Sequence, residues 1–200
     1  MLRLIDKPSG ITEFFERTEL TDFISSFNIR SKQPSLIFAS NDPCVCLIFN
    51  FGFPVDVTSN KKSKTIASNQ YNLMDKDHTN LGISSLSENA ELFLHIVTLP
   101  QSYFREIVNF FALKSADLTD DAPFALKKSR EISNEMHYNL RTLHQDHCTN
   151  EQEKVYVHGK LFTMLAILMQ EEGRIVADCI DHCQVLPRNK GSRFVTEYST

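Results

Sequence analysis

The chain has 200 residues, 42% of them hydrophobic, with a formal net charge of −4 at pH 7 and a pI near 6.0, which suits one globular domain with or without a helical annex. The acidic balance excludes a general nucleic-acid-binding surface, which needs a basic face. No stretch reaches the roughly 18 apolar residues of a membrane span, the N-terminal MLRLIDKPSG lacks a signal peptide's apolar run, and five cysteines without framework spacing suit a reducing cytoplasm.

Up to about Leu99 the chain reads as strands and turns. Ile11 to Leu20 and Phe23 to Arg30 are rich in aromatic and β-branched residues, with a break near Thr21-Asp22. Gln33-Pro34 breaks the pattern again before the apolar run Leu36-Ile37-Phe38, and Asn41-Asp42-Pro43 predicts a turn. In Val45, Leu47, Phe49, Phe51, Phe53, Val55 and Val57 every second residue is apolar. This period of two predicts a strand, or two strands joined at a bend, with one face inward. Gly52 and Pro54 mark the bend. Asn60 to Lys64 is a polar connection, Thr65 to Met74 one further strand and Asp75 to Asn80 a turn; Ile83–Leu86 and Leu92–Leu99 complete the β half. Many short strands without intervening helices predict an antiparallel sandwich or barrel.

Pro100 marks a switch to a period of 3.6. Ser102 to Phe111 predicts a short helix with Phe104, Ile107, Val108 and Phe111 on one face. Phe124 to Asp146 predicts a second, with Ile132, Met136, Leu140 and Leu143 in one stripe. A short separator, with Thr149 or Asn150 as N-cap, makes it the antiparallel neighbour of a third helix, Glu151–Glu172. That helix has the clearest pattern in the chain. Val157, Leu161, Met164, Leu165 and Leu168 form one stripe; Val155, Phe162, Ala166 and Met169 form a second. One stripe suffices for one core, so two predict either a central helix or a seam with a second copy. Val155, His158, Leu161, Phe162, Leu165 and Met169 are the expected interface residues. A last helix is expected over Arg174–Val185, followed by a tail. The fold class is therefore α+β, with a β-barrel over residues 1–99, a helical dimerisation subdomain over 100–186 and a linker or tail over 187–200.

Little of the chain carries legible reaction chemistry. Cys179, His182 and Cys183, beside Asp178, share one face of the last predicted helix, but one helix supplies three ligands without a second cluster, so buried thiols are expected there. Cys44 and Cys46 are separated by one residue in a strand and are expected to pack, because redox pairs are commonly spaced by two. His78 and His95 are isolated, and His144 and His147 lie near a helix end. There is no glycine-rich phosphate loop, nucleophile elbow or HExxH. The expectation is no catalysis, no cofactor and no metal. The aromatic density of Phe49, Phe51 and Phe53 suits an apolar pocket lined by them or by the other face of the same strand, with Asn50, Tyr71 and His95 as polar wall residues.

The order of elements and the segment Tyr156, Gly159, Lys160, Leu161, Leu165, Ala166 and Leu168 resemble the sensor half of AraC-type transcription regulators, from about Leu20 to about Val185. Met164 stands where that line usually has Glu. The resemblance implies a cupin-like barrel that binds a small-molecule effector, followed by helices that form a homodimer. Its histidine pattern departs from the HxH set of cupin metalloenzymes. The family's DNA-binding half, about a hundred residues, has no room after Val185, so DNA contact is expected only through a half absent from this chain. The alternatives are an interaction module without ligand and a stand-alone cupin-like enzyme.

Overall fold

The computed structural model describes residues 2–4, 14–20, 24–39, 42–59, 62–76, 80–87, 90–112, 126, 128–143 and 151–171. The strands are β1 (Arg3–Leu4), β2 (Phe14–Glu19), β3 (Ser25–Ser31), β4 (Ser35–Ala39), β5 (Cys44–Asn50), β6 (Val55–Ser59), β7 (Lys62–Ile66), β8 (Gln70–Lys76), β9 (Leu81–Ser85), β10 (Leu92–Pro100) and β11 (Arg130–Glu131). The helices are α1 (Gln101–Ala112), α2 (Asn134–Leu143) and α3 (Glu151–Glu171).

Two antiparallel sheets form, one ordered β1-β4-β9-β6-β7 and the other β11-β8-β5-β10-β3-β2. The pairings nest: β3 with β10, β4 with β9, β5 with β8 and β6 with β7. A chain folded over on itself in this way is a jelly roll, the arrangement of cupins. The α+β class, a cupin-like antiparallel β-sandwich followed by helices, is thus as the sequence predicts.

Local chemistry sets the corners. β5 ends and β6 begins around the predicted Gly52-Pro54 bend. A Cβ on Gly52 would stand 3.0 Å from the Phe93 nitrogen and 3.1 Å from the Glu91 oxygen, so the close approach of β10 requires glycine. Thr65 to Met74 is two strands rather than one. Asn69 takes a left-handed φ of 57° in the turn between them, a conformation asparagine tolerates because its side chain hydrogen-bonds locally. Lys62–Lys64, expected as connection, pairs with β6 instead. The second predicted helix is shorter than its apolar stripe. Residues 130–131 form β11 against β8, and Ser133 caps the helix, its Oγ accepting the Met136 N–H at 3.2 Å. Thr149 and Asn150, expected as caps, the expected Arg174–Val185 helix and the tail lie outside the described residues.

The centre of the six-stranded sheet is buried on both faces. All seven residues of β5 are buried. Cys44, Cys46 and Ile48 join Phe27, Leu94 and Ile96 against Phe38, Val57 and Ile83 of the other sheet, inside the jelly roll. Val45, Leu47 and Phe49 join Val97 and Leu99 in a second core with Phe104, Met136, Leu140 and most of α3. The helices therefore lie against the outer face of the sheet and share its core.

Candidate functional site

The interior of the jelly roll holds polar groups at positions alternating with those that meet the helices. Asn50 is fully buried. Its Nδ2 donates to the carbonyls of Phe53 at 2.9 Å, Ile66 at 3.0 Å and Ala67 at 3.1 Å, and its Oδ1 accepts from the Gly52 N–H at 3.0 Å. One side chain thus binds the end of β5 to the bend and to the end of β7. Asn72 is also fully buried, opposite Ile48 in register. Its Nδ2 donates to Ser129 Oγ at 3.1 Å, and Ser129 donates to the Thr65 carbonyl at 2.8 Å, so the two sheets are tied together along this edge. Asn72 Oδ1 is buried without a hydrogen-bond partner. A buried carbonyl oxygen left without a donor costs about 1–3 kcal/mol.

Further along the same face lie Met74 and Lys76, opposite Cys46 and Cys44. The Lys76 side chain is fully buried. The two thiols are 4.0 Å apart. The hydrogen bond from Cys44, then burial, push the Cys46 thiol well above its ordinary pKa, while the Lys76 ammonium pulls in the opposite direction.

Of the aromatic residues expected to line a pocket, Phe49, Phe51 and Tyr71 face the helices, not the jelly-roll interior. Phe49 packs on Tyr71 at 5.6 Å between ring centroids and edge-on to His95 at 6.2 Å. These three are neighbours by register, since Phe49 stands opposite both His95 and Tyr71. His95 is buried, with Nε2 2.7 Å from Ser26 Oγ. Phe51 lies with Phe93 and with His137 of α2 at 5.5 and 5.3 Å. Phe53 is 55% exposed. Phe49, Tyr71 and His95 therefore come together, Phe51 stands at their margin, and Asn50 and Phe53 lie apart. Nothing in the sequence singles out Asn72, Lys76 and Met74. Alternating Asn, Met and Lys in QYNLMDK resembles a solvent-facing stripe, and only the curvature that folds this face inward makes it interior.

The expected interface residues also divide. Leu161, Leu165 and Met169 are buried within the chain, as are all residues from Met164 to Met169. A helix apolar all round is a buried one, which accounts for both stripes over this part of α3. The outward-facing residues lie nearer its start. Val155 is 67% exposed, Tyr156 is exposed, and His158, Gly159 and Phe162 are half-buried. The Lys160 ammonium sits 4.6 Å from the ring of Tyr138, exposed on α2, and 5.2 Å from that of Tyr156. His158 Nδ1 is 2.6 Å from Tyr103 Oη, linking α3 to α1. Burial lowers the His158 pKa; burial, then Glu106, raise that of Tyr103.

Among the described residues no group of three His, Cys, Asp or Glu side chains gathers as a metal site, and no helix is long and apolar enough to cross a membrane. Cys179, His182, Cys183, Asp178, His78, His144 and His147 fall outside the described residues.

No protein-family profile matches the chain, and no curated protein does. Solved structures similar to it include an AraC-like transcriptional activator and cupin domains. ToxT from Vibrio cholerae is 15% identical, with a TM-score of 0.46 over 78% of this chain and 59% of ToxT. The AraC-like transcriptional activator CuxR is 10% identical, with a TM-score of 0.44 over 82% of this chain and 60% of CuxR. The cupin domain of Schizosaccharomyces pombe Cnp3 is also similar, at 10% identity and a TM-score of 0.36 over 50% of this chain. The chain spans about three fifths of the length of ToxT and of CuxR.

Proposed function

We propose that the chain is the effector-binding half of an AraC-like transcription regulator. The reading rests on one arrangement: a jelly roll whose outer face carries a helical layer, with the AraC-like segment Tyr156–Leu168 on the helix at its centre. Leu161, Leu165, Ala166 and Leu168 of that segment are buried, and Tyr156, Gly159 and Lys160 lie on its outer side.

The effector is a small molecule held between the sheets, where it offers a hydrogen-bond donor to Asn72 Oδ1. This places its polar contact two residues along the strand pair from the expected Asn50, whose side chain is already satisfied by backbone. The second copy meets the outer face around Val155, Tyr156 and Phe162, because Leu161, Leu165 and Met169 are taken up within the chain. Transcription control needs DNA contact, which the proposal assigns to a further domain. The protein carries out no catalysis in this reading, and no nucleophile or base is assigned.

A thermal-shift screen of small molecules tests the effector site. A hit that stabilises the wild type and fails to stabilise Asn72→Val supports it, since binding to the native state raises stability by mass action. Hits that stabilise both equally bind elsewhere and reject the site. Sedimentation of the wild type and of Val155→Glu tests the pairing: a wild-type monomer at micromolar concentration rejects it.

A further inference from the structure

We propose that the sulfur cluster inside the jelly roll, Cys44, Cys46 and Met74, binds a soft monovalent metal ion such as Cu(I). The proposal is independent of the chain's role in transcription.

Spacing is the first argument. Cys44 and Cys46 are alternate residues of β5, both directed into the interior, with Sγ atoms 4.0 Å apart. Their Cα atoms, two residues apart on a strand, are separated by roughly 6.6 Å with parallel side chains. A disulfide brings Cβ atoms to about 3.8 Å, closer than parallel side chains on alternate residues of an extended strand stand, so the strand disfavours one. Neither is in a disulfide. A metal ion bridging them fits instead. Two metal–sulfur bonds of about 2.3 Å spanning that gap subtend roughly 120°, the angle of a three-coordinate site.

The third position is supplied across the ladder. Met74 lies opposite Cys46, is buried at 3% exposure and belongs to the same interior cluster. Directly opposite side chains on one face of an antiparallel pair approach to about 5 Å between Cβ atoms, within reach of a thioether. Two thiols and a thioether select a soft ion over a hard one. Zinc(II) normally takes four ligands, and this set offers three.

Charge is the remaining requirement. Binding deprotonates both thiols and releases two protons to solvent, with no change of oxidation state: Cu(I) joins two thiolates in a complex of net charge −1. A buried anion needs a partner. Lys76 stands opposite Cys44, fully buried, and is the basic group that the register sets beside the sulfurs. Cys44 is 6% exposed at the strand's start, which makes it the first sulfur an entering ion would meet.

The test is anaerobic titration of the full chain with Cu(I) supplied from bicinchoninate, on a background with Cys148, Cys179 and Cys183 changed to serine. One ion per chain is expected, with X-ray absorption showing only sulfur in the first shell. Binding is expected to vanish in Cys44→Ala and in Cys46→Ala and to weaken in Met74→Leu, each checked for native circular dichroism. The X-ray absorption spectrum of the serine-substituted parent, with Cys44, Cys46 and Met74 intact, decides independently of whether the further variants fold. Binding that survives either cysteine change, nitrogen or oxygen neighbours in the first shell, absence of binding to the folded parent, or displacement of Cu(I) by Zn(II) would each overturn the proposal.

Discussion

Asn50 offers the sharpest test of how the jelly roll is closed. Its amide serves three carbonyls, at 2.9, 3.0 and 3.1 Å, and its carbonyl serves the Gly52 N–H at 3.0 Å. Two donated hydrogens and one accepted hydrogen are involved, because the amide shares two among three acceptors. At about 1 kcal/mol for each, Asn50→Ala costs roughly 3 kcal/mol, with partial rehydration keeping the orphaned groups from adding their full penalty. For a chain of this size that lowers the melting temperature by about 6–12 °C. Asn50→Asp separates hydrogen bonding from packing, since it nearly preserves volume while setting a carboxylate against three carbonyls. Burial and those carbonyls raise the new carboxyl's pKa above its unfolded value of about 3.9. The protonated acid is then favoured in the fold. Its stabilising contribution is complete below the unfolded pKa and is lost as pH rises through the folded one. Urea denaturation at several pH values should show Asn50→Asp at least as unstable as Asn50→Ala at pH 7, and less so near pH 4.5. A loss below about 1 kcal/mol for Asn50→Ala, or no gain on acidification for Asn50→Asp, would refute the closure by Asn50.

Two glycines should respond in opposite directions. Gly52→Ala places a methyl against backbone at 3.0 and 3.1 Å and should destabilise by about 1–3 kcal/mol. Gly159→Ala meets nothing within 4 Å inside α3 and should stabilise by about 0.5–1 kcal/mol; denaturant midpoints check both. His158 has a pKa lowered by burial, so the neutral ring is favoured in the fold and its contribution is present above the unfolded value of about 6.5. That contribution should fade as pH falls through the folded pKa, and the wild type should lose more stability than His158→Gln between pH 7 and pH 5.5, in paired urea titrations.

The sequence was most legible where one physical demand acted alone. The Gly52-Pro54 bend, the switch at Pro100 and the long third helix follow from single local signals. Legibility failed where a residue answered to two environments. The period of two in Val45, Leu47 and Phe49 is visible, yet β5 is buried on both faces, and alternation cannot say which face the helices will cover. The apolar set went to the helices and the mixed set Cys44, Cys46 and Asn50 to the interior. The break between β7 and β8 carries a turn signal in Ser68-Asn69, but a weaker one than the glycine and proline of the Gly52-Pro54 bend, and Thr65 to Met74 reads across it as one strand. In α2 the apolar stripe includes Ile132, but Ser133 caps the helix after it, and a stripe read by spacing alone extends past such a cap. Asn72 was hidden for a different reason: its oxygen becomes exceptional only when the surrounding sheet denies it a donor.

The double burial at the centre of the six-stranded sheet bears on how the interior communicates with the surface. Along β5 and β10, consecutive residues alternate between the two cores: Ile48 and Ile96 inside, Phe49 and Val97 against the helices. Neither set can move without the other, since close-packed interiors transmit displacement rather than absorb it. Anything that occupies the interior and shifts β5 must therefore repack Leu47 and Phe49 against the helical layer. Within that layer Leu161, Met164 and Leu165 anchor α3, while Tyr156, Gly159 and Lys160 occupy its outer side. The path from interior to outer surface is one sheet and one helix thick. With this construction a shift inside reaches the outer face without a hinge: the same strands that line the interior carry the helix that presents the outer face.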